Sequence, residues 1–508
     1  MKKFFLITLF IIILLGAGLR FYKLGARSFD RDEFFELNTS YGYFKTGKFL
    51  AWDFNNEKPF EGNLQDDTST ERAEIFRWQL AQSYRFFEPS ETNTRAVSAV
   101  WGIISIILVY FITLSFTGNK YIALIAAFLV AVGESEIIYS RRLRMYSMFF
   151  PVYLFFSWLV FKFYEAKYGG KIKLFRMISE KIGFNPVYFL PVLAVGIASY
   201  NTQVLTASIV GTIFVYSLVN LTASIRKKSY FNNYSITLIA ISGAYLAASR
   251  LPALHKFYKL AKKNLKLFVE NYSYFSGYFT DMVFPAVGFI LLLIGVWFLA
   301  KKLDRKKEAV FLFLSAAVPL AAAVFTWSRD PAHRYIYFLQ SFGIILIAVG
   351  IFAAIYFISG KFSKYRKPVI VITLIVFTAL ISFKYLAKNS EVYGHTKNSY
   401  YPDFTKIFSY ILANKKPEDV FVTRAYRSYY FRSQKIPVYD TQVLPLEKSD
   451  CREVLEDIIS ENKSGWVIIP KVDYVSLCKD GRQYLSENLS RVRADAIPTS
   501  APVYRWGE

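Results

Sequence analysis

Apolar runs of membrane-spanning length recur along the chain, separated by short polar or basic stretches. A helix needs about 20 apolar residues to cross the hydrocarbon layer. By that rule the pattern predicts spans at 4–19, 96–116, 121–138, 146–164, 186–200, 202–222, 234–250, 281–300, 309–326, 336–358 and 369–387, about eleven in all. The fifth and sixth are divided at Tyr200-Asn201. A large polar loop, 20–94, follows the first span. Within it, 55–70 reads as loop and 72–87 as an amphipathic helix carrying Ile75, Phe76, Trp78, Leu80 and Tyr84. After about residue 389 the pattern becomes water-soluble: helices at 403–414, 452–461 and 475–489 alternate with strands at 419–423, 435–439 and 465–470. That alternation predicts a small α/β domain with a largely parallel sheet. The expected architecture is an α-helical polytopic membrane protein with a C-terminal soluble α/β domain, divided into 1–388 (including outer loop 20–94) and 389–508.

Composition agrees. Of 508 residues, 54% are hydrophobic and 19% aromatic, more than a single soluble core can bury. The net charge of +24 raises the question of nucleic acid, but no basic recognition helix or stacking module is visible. The basic residues instead fall in loops. Lys2-Lys3, the 165–185 loop (Lys167, Lys171, Lys173, Arg176, Lys181), Arg226-Lys227-Lys228, Lys301-Lys302 with Arg305-Lys306-Lys307, and Lys361, Lys364, Arg366 and Lys367 share one side. The positive-inside rule makes that side cytoplasmic. An odd span count then puts the N-terminus in the cytoplasm and the C-terminal domain outside the plasma membrane. The first apolar run is read as an uncleaved span, because no small-residue cleavage site follows it. The 251–280 loop falls outside although Lys-rich, and Phe257, Leu260, Ala261, Leu265 and Phe268 predict a surface-lying helix there. Cys451 and Cys478 lie in the outer region, where a disulfide and two free thiols are both open. No Gly-x-Gly-x-x-Gly follows a strand, so no nucleotide site is read.

Four polar groups fall on the outer side. These are Asp32-Glu33 after the first span, Arg95 at the start of the second, Ser140-Arg141-Arg142-Leu143-Arg144-Met145-Tyr146 before the fourth, and Arg329-Asp330-Pro331-Ala332-His333-Arg334-Tyr335 before the tenth. A carboxylate can act as general base on an acceptor hydroxyl or amine. Arginine forks bind phosphate oxygens, and fixed cations lower the barrier to a leaving phosphate. Together they describe glycosyl transfer from a lipid phosphate, with aromatic spans to hold the lipid tail. Each group also has a plain structural reading. Asp32-Glu33 can pair with Arg27 or Arg31, and Arg95 with Glu88 or Glu91. Arg141 and Arg142 can be interface anchors, Arg334-Tyr335 an aromatic-belt edge, and His333 a structural histidine.

At these residues the chain resembles the bacterial and archaeal GT-C membrane glycosyltransferases, in the branch holding protein O-mannosyltransferases and lipid A aminoarabinose transferases. Asp32-Glu33 is similar to that family's Asp-Glu motif in the first outer loop. Thr94-Arg95-Ala96-Val97-Ser98-Ala99-Val100-Trp101-Gly102 looks like its Ala-Arg-x-x-Ser-x-x-x-Gly element. The 140–146 segment resembles its Arg-x-Tyr element, and Arg334-Tyr335 its late Arg-Tyr element. The resemblance covers essentially the whole chain. It implies an inverting transfer from a polyprenyl-phosphate sugar to a lipid, polysaccharide or protein acceptor, without nucleic acid. Asp32, favoured over Glu33, would be the base; Arg144, Tyr146, Arg334, Tyr335 and Arg95 would hold the donor phosphate. A divalent metal stays open, with His333 as its candidate ligand. The His-Pro-Leu or Pro-Pro-Leu element that members often carry is absent from Arg72-Ala73-Glu74-Ile75-Phe76-Arg77-Trp78, so the contact it supplies is not carried over. No Trp-Trp-Asp-Tyr-Gly motif is present, which argues against an oligosaccharyltransferase. The rival readings are a lipid or sugar transporter, which calls for ionisable groups at mid-bilayer and paired broken helices, and a non-catalytic scaffold.

Overall fold

The computed structural model describes residues 2–60, 73–226, 228–250, 270–327, 331–361, 366–388, 390–396, 399, 401–441, 451–470, 477–495, 497–498 and 501–507. The predicted surface helix within 251–280 and the polar loop 55–70 fall largely outside these residues, as do Arg329 and Asp330. The chain forms two compact units. One comprises Met1–Phe21, Ser98–Ser140 and Met145–Lys384; the other comprises Tyr22–Val97, Arg141–Arg144 and Tyr385–Glu508. The expected division at 388 followed composition. By contacts, the first outer loop groups with the C-terminal region.

The first unit is helical. Among the described residues, six helices are long and apolar enough to cross a membrane, or up to eight if two bent pairs each count as one span. This is fewer than the expected eleven, for local reasons. The predicted span 121–138 is two helices, Lys120–Val132 and Glu134–Ser140, meeting at 57°. Gly133 between them is extended (ψ 135°), which ends the first helix. The 281–300 and 369–387 runs form the shorter helices Pro285–Lys301 and Arg366–Ala379. The division near Tyr200-Asn201 falls at Gln203, an extended residue after Phe189–Thr202.

Helices in lipid gain little by burying apolar area against one another, so close backbone approach and internal polar contacts hold them together. Pro285–Lys301 crosses Gln340–Lys361 through Gly295 and Gly350. A Cβ on Gly295 would stand 1.9 Å from Leu346 O, and one on Gly350 2.0 Å from Leu291 O. The Arg20 guanidinium, fully buried, donates to Gly16 O at 3.0 Å, Ala131 O at 3.0 Å and Val130 O at 2.8 Å, tying the first helix to Lys120–Val132. At another point the Glu165 carboxylate accepts from Tyr216 Oη at 2.7 Å and Tyr234 Oη at 2.6 Å, and pairs with Lys307. One carboxylate thereby links four helices.

The second unit holds a short hairpin, β1 (Trp52–Asp53) with β2 (Lys58–Pro59), and a five-stranded sheet. The sheet comprises β3 (Val420–Thr423), β4 (Val438–Asp440), β5 (Gly465–Ile468), β6 (Ser490–Arg491) and β7 (Val503–Trp506), in the order β4-β3-β5-β7-β6. β3 runs parallel to β4 and β5, whereas β7 is antiparallel to β5 and β6. The sheet is therefore mixed, not largely parallel. Helix Phe404–Asn414 buries Phe404, Ile407, Phe408 and Ile411 with Phe421 and Trp466 on one side of the sheet. Cys451–Glu461 and Lys479–Asn488 bury Leu455, Ile458 and Leu485 with Val420, Val422 and Val467 on the other.

Cys451 and Cys478 form a disulfide between these last two helices, with Cα atoms 6.2 Å apart and the cysteines 27 positions apart in sequence. Closing a loop of this length in the unfolded chain is worth about 3.5 kcal/mol in the chain-entropy treatment. Reduction, or Cys451→Ser, is expected to make this region markedly more susceptible to limited proteolysis. Equal cleavage rates for oxidised and reduced protein would refute that.

Candidate active site

The site is built on the helix Arg31–Thr46, in the second unit. Asp30 caps it: Asp30 Oδ1 accepts from Glu33 N at 2.9 Å, and Glu33 Oε2 accepts from Asp30 N at 2.9 Å. An Asp with a Glu three residues later satisfies two of the donors that a helix start leaves orphaned.

Glu33 has further partners. It is 2% exposed. Its Oε1 accepts from Arg95 Nε at 2.8 Å and Leu143 N at 2.8 Å, and its Oε2 from Arg95 Nη2 at 2.6 Å as well as from Asp30 N. The remaining Arg95 donors go to backbone carbonyls: Leu24 at 3.3 Å, Arg27 at 2.7 Å and Ser28 at 3.1 Å. All five guanidinium N–H groups are thus used inside the protein. Burial opposes the charged form of Glu33, but the Arg95 charge and these hydrogen bonds outweigh it and hold the carboxyl down to about 2. For Asp30, burial and the neighbouring Glu33 charge push the carboxyl up to about 6.

One turn on, Glu36 is 1% exposed and bridges two arginines. It accepts from Arg77 Nε at 2.7 Å and from Arg144 Nη1 at 2.9 Å. Arg144 Nη1 also donates to Asp32 O at 3.2 Å, and Arg144 Nη2 lies 4.0 Å from Asp32 Oδ2. Asp32 and Glu36 are i,i+4 neighbours on one helix, so a single arginine reaches both. The Asp32 side chain is 38% exposed. The first two turns therefore carry two buried carboxylates locked by arginines and, beside them, one open to solvent.

Of the residues expected from sequence, Asp32, Glu33, Arg95 and Arg144 come together here. Arg95 pairs with Glu33, whereas Glu91 accepts from Tyr430 Oη at 3.0 Å. Tyr146, His333, Arg334 and Tyr335 belong to the helical unit. Tyr146 is buried, its ring 6.0 Å from that of Tyr139. His333 Nδ1 lies 3.3 Å from Tyr139 Oη, and His333 Nε2 meets Gly277 O. The Arg334 guanidinium sits 5.3 Å from the Tyr335 ring centre. Sequence reasoning passed over Asp30, Glu36 and Arg77. It also passed over Glu134 and Glu136, which fall inside a predicted span. There Glu134 accepts from Ser382 Oγ at 2.6 Å, and Asp281 accepts from Ser135 N at 2.8 Å. Carboxylates within an apolar run are costly, and Glu134-Ser135-Glu136 was the signal available.

No family model matches the chain, and no curated protein sequence matches it. Solved structures do. ArnT from Cupriavidus metallidurans bound to undecaprenyl phosphate is 11% identical with a TM-score of 0.60, over 97% of each chain. The archaeal oligosaccharyltransferase AglB from Archaeoglobus fulgidus, in complex with an inhibitory peptide and a dolichol-phosphate, is 12% identical with a TM-score of 0.56, over 92% of this chain and 69% of that one. The Archaeoglobus fulgidus enzyme complexed with Zn and sulfate is 13% identical with a TM-score of 0.56, over 98% and 72%. The chain shares the fold of these structures, and at such identities the likeness is one of fold alone.

Proposed function

We propose that this chain is a membrane glycosyltransferase that moves a sugar from a polyprenyl-phosphate donor to an acceptor at the extracytoplasmic face, with inversion. The observation that carries the proposal is Asp32, a half-exposed carboxylate held on a helix turn whose other carboxylates are saturated by arginine. In this reading Asp32 takes the proton of an acceptor hydroxyl or amine. The acceptor atom forms its bond to the anomeric carbon as the carbon–oxygen bond to phosphate breaks. The phosphate leaves with the electron pair, and inversion follows from attack opposite the leaving group. Arg144 stabilises the negative charge that develops there. Glu33, Arg95, Glu36 and Arg77 are positioning residues.

Two further points support the reading. The fold is shared with a protein bound to undecaprenyl phosphate and with one bound to a dolichol-phosphate. The Cys451–Cys478 disulfide suits an oxidising compartment, in keeping with an outer C-terminal domain and a cytoplasmic N-terminus. Tyr146, Arg334 and Tyr335 remain proposed donor-binding residues. One structure of similar fold contains Zn. Among the described residues, however, no three His, Cys, Asp or Glu side chains are grouped to hold a metal ion, and both His333 ring nitrogens have protein partners. These residues do not fit a metal site, and no step is routed through one.

The deciding experiment supplies purified protein in lipid discs with a panel of polyprenyl-phosphate sugars and follows release of the lipid phosphate. Turnover of one donor supports the proposal and names the sugar. Silence with every donor, with cell-envelope extract as acceptor, refutes it. Arg144→Ala is expected to raise the apparent donor KM about 10- to 100-fold, the loss of one charge-assisted contact. An unchanged KM would count against a phosphate role for Arg144.

A further inference from the structure

The segment Arg141–Arg144, between the helices Glu134–Ser140 and Tyr146–Glu165, is pinned at three of its four residues. The Arg141 guanidinium donates to Tyr22 O at 2.7 Å, Lys23 O at 3.1 Å and Val392 O at 3.2 Å, and lies 4.4 Å from the centre of the Tyr393 ring. Leu143 is fully buried, and its N–H donates to Glu33. Arg144 reaches Glu36 and the Asp32 carbonyl, and its own N–H closes the turn on Arg142 O at 2.8 Å. Between them the Arg142 side chain is exposed and makes no hydrogen bond or ion pair among the described residues.

We infer that Arg142 is a binding residue for a phosphate monoanion or dianion at the Asp32 site, in the proposed reaction the phosphate of the lipid-linked donor. The inference rests on the glycosyl-transfer reading and deepens it. An exposed arginine is ordinarily a solvated surface charge that loses considerable rotamer freedom on binding. Arg142 differs in three respects. Its backbone is fixed on both sides by side chains of the site itself. The buried carboxylates nearby are already engaged: Glu33 by Arg95, Glu36 by Arg77 and Arg144, and Asp30 as a helix cap. The residues that follow it, Leu143 and Arg144, contact Glu33 and the Asp32 carbonyl, so Arg142 stands beside the start of the helix that carries Asp32. Arg31 lines a separate small cavity with Phe34, Tyr401, Phe404, Tyr426 and Arg427. A planar guanidinium on a fixed turn is suited to bidentate contact with phosphate oxygens.

The test is equilibrium binding of labelled undecaprenyl phosphate to the full chain in phosphatidylcholine discs, with undecaprenol, inorganic phosphate and phosphatidylglycerol as competitors. Wild type is expected to prefer undecaprenyl phosphate to undecaprenol at least tenfold. Arg142→Ala should lose about tenfold of that preference at unchanged unfolding temperature, and Arg142→Lys should keep part of it as a point charge. Displacement by inorganic phosphate alone, abolished by Arg142→Ala, would still assign a phosphate to Arg142, but a free one. A wild-type preference that Arg142→Ala leaves intact overturns the inference while the transferase reading stands. A wild type with no preference at all refutes the transferase reading itself. Equal displacement by phosphatidylglycerol overturns the inference too, since any anionic headgroup would then serve.

Discussion

Asp32→Asn is expected to reduce sugar transfer by about a thousandfold while leaving the unfolding temperature unchanged. The magnitude is that of a positioned general base, roughly 10²–10⁴-fold. The neutral stability follows from the geometry. The Asp32 carboxylate is 38% exposed, and its 4.0 Å separation from Arg144 Nη2 is longer than a charge-assisted hydrogen bond. The Arg144 contact to the Asp32 backbone carbonyl does not depend on the side chain. Asn keeps the shape and removes the basicity. The readout is lipid phosphate released from a polyprenyl-phosphate sugar in lipid discs, beside a thermal unfolding scan. Wild-type turnover in this variant would sink the base assignment. A variant that loses turnover and also several degrees of stability would show that Asp32 is structural.

Much of the C-terminal region was legible from local signals. Asp403 precedes an amphipathic run and caps the helix Phe404–Asn414; Gly465 opens β5. β7 was missed because its four residues carry too short an alternation, and its place is set by pairing with β5, some 35 residues away in sequence. In the membrane unit, hydropathy located the apolar runs but not where a helix breaks. Gly133 looks like any glycine in an apolar stretch until Glu134 must find a polar partner, Ser382. At the site, an acidic pair after an apolar run drew attention to Asp32-Glu33, but adjacent residues point about 100° apart on a helix. Which one is buried depends on Arg95, 62 residues on, and Leu143, 110 residues on. Glu36 was invisible for the same reason: a single helical glutamate is ordinarily solvated, and only Arg77 and Arg144 make it a bridge.

Glu33→Ala is expected to be the most destabilising single substitution at the site, at about 3–5 kcal/mol, the cost of breaking a buried ion pair. It strands the Arg95 guanidinium in a buried position and leaves the Leu143 and Asp30 N–H groups without their acceptor. For a unit of about 200 residues this corresponds to a fall of roughly 10 °C in unfolding temperature. Replacing both partners, Glu33→Gln with Arg95→Met, should recover part of that loss, because no buried charge is then left alone. The pH dependence carries a signature of the same pair. Glu33 is held at about 2, below its ordinary 4.5. Its contribution is fully present above pH 4.5 and is lost as pH falls through 2. Asp30, raised to about 6 from 3.8, acts with the opposite sign: its contribution is present below 3.8 and is lost as pH rises through 6. Stability of this unit should therefore peak between these limits, and Glu33→Gln should remove the acid limb and weaken the Asp30 limb, which the Glu33 charge partly sustains. A single mutant that matches wild type in unfolding temperature at pH 7 would show that Arg95 does not depend on Glu33. Asp32 would then need some other element to hold its turn in place.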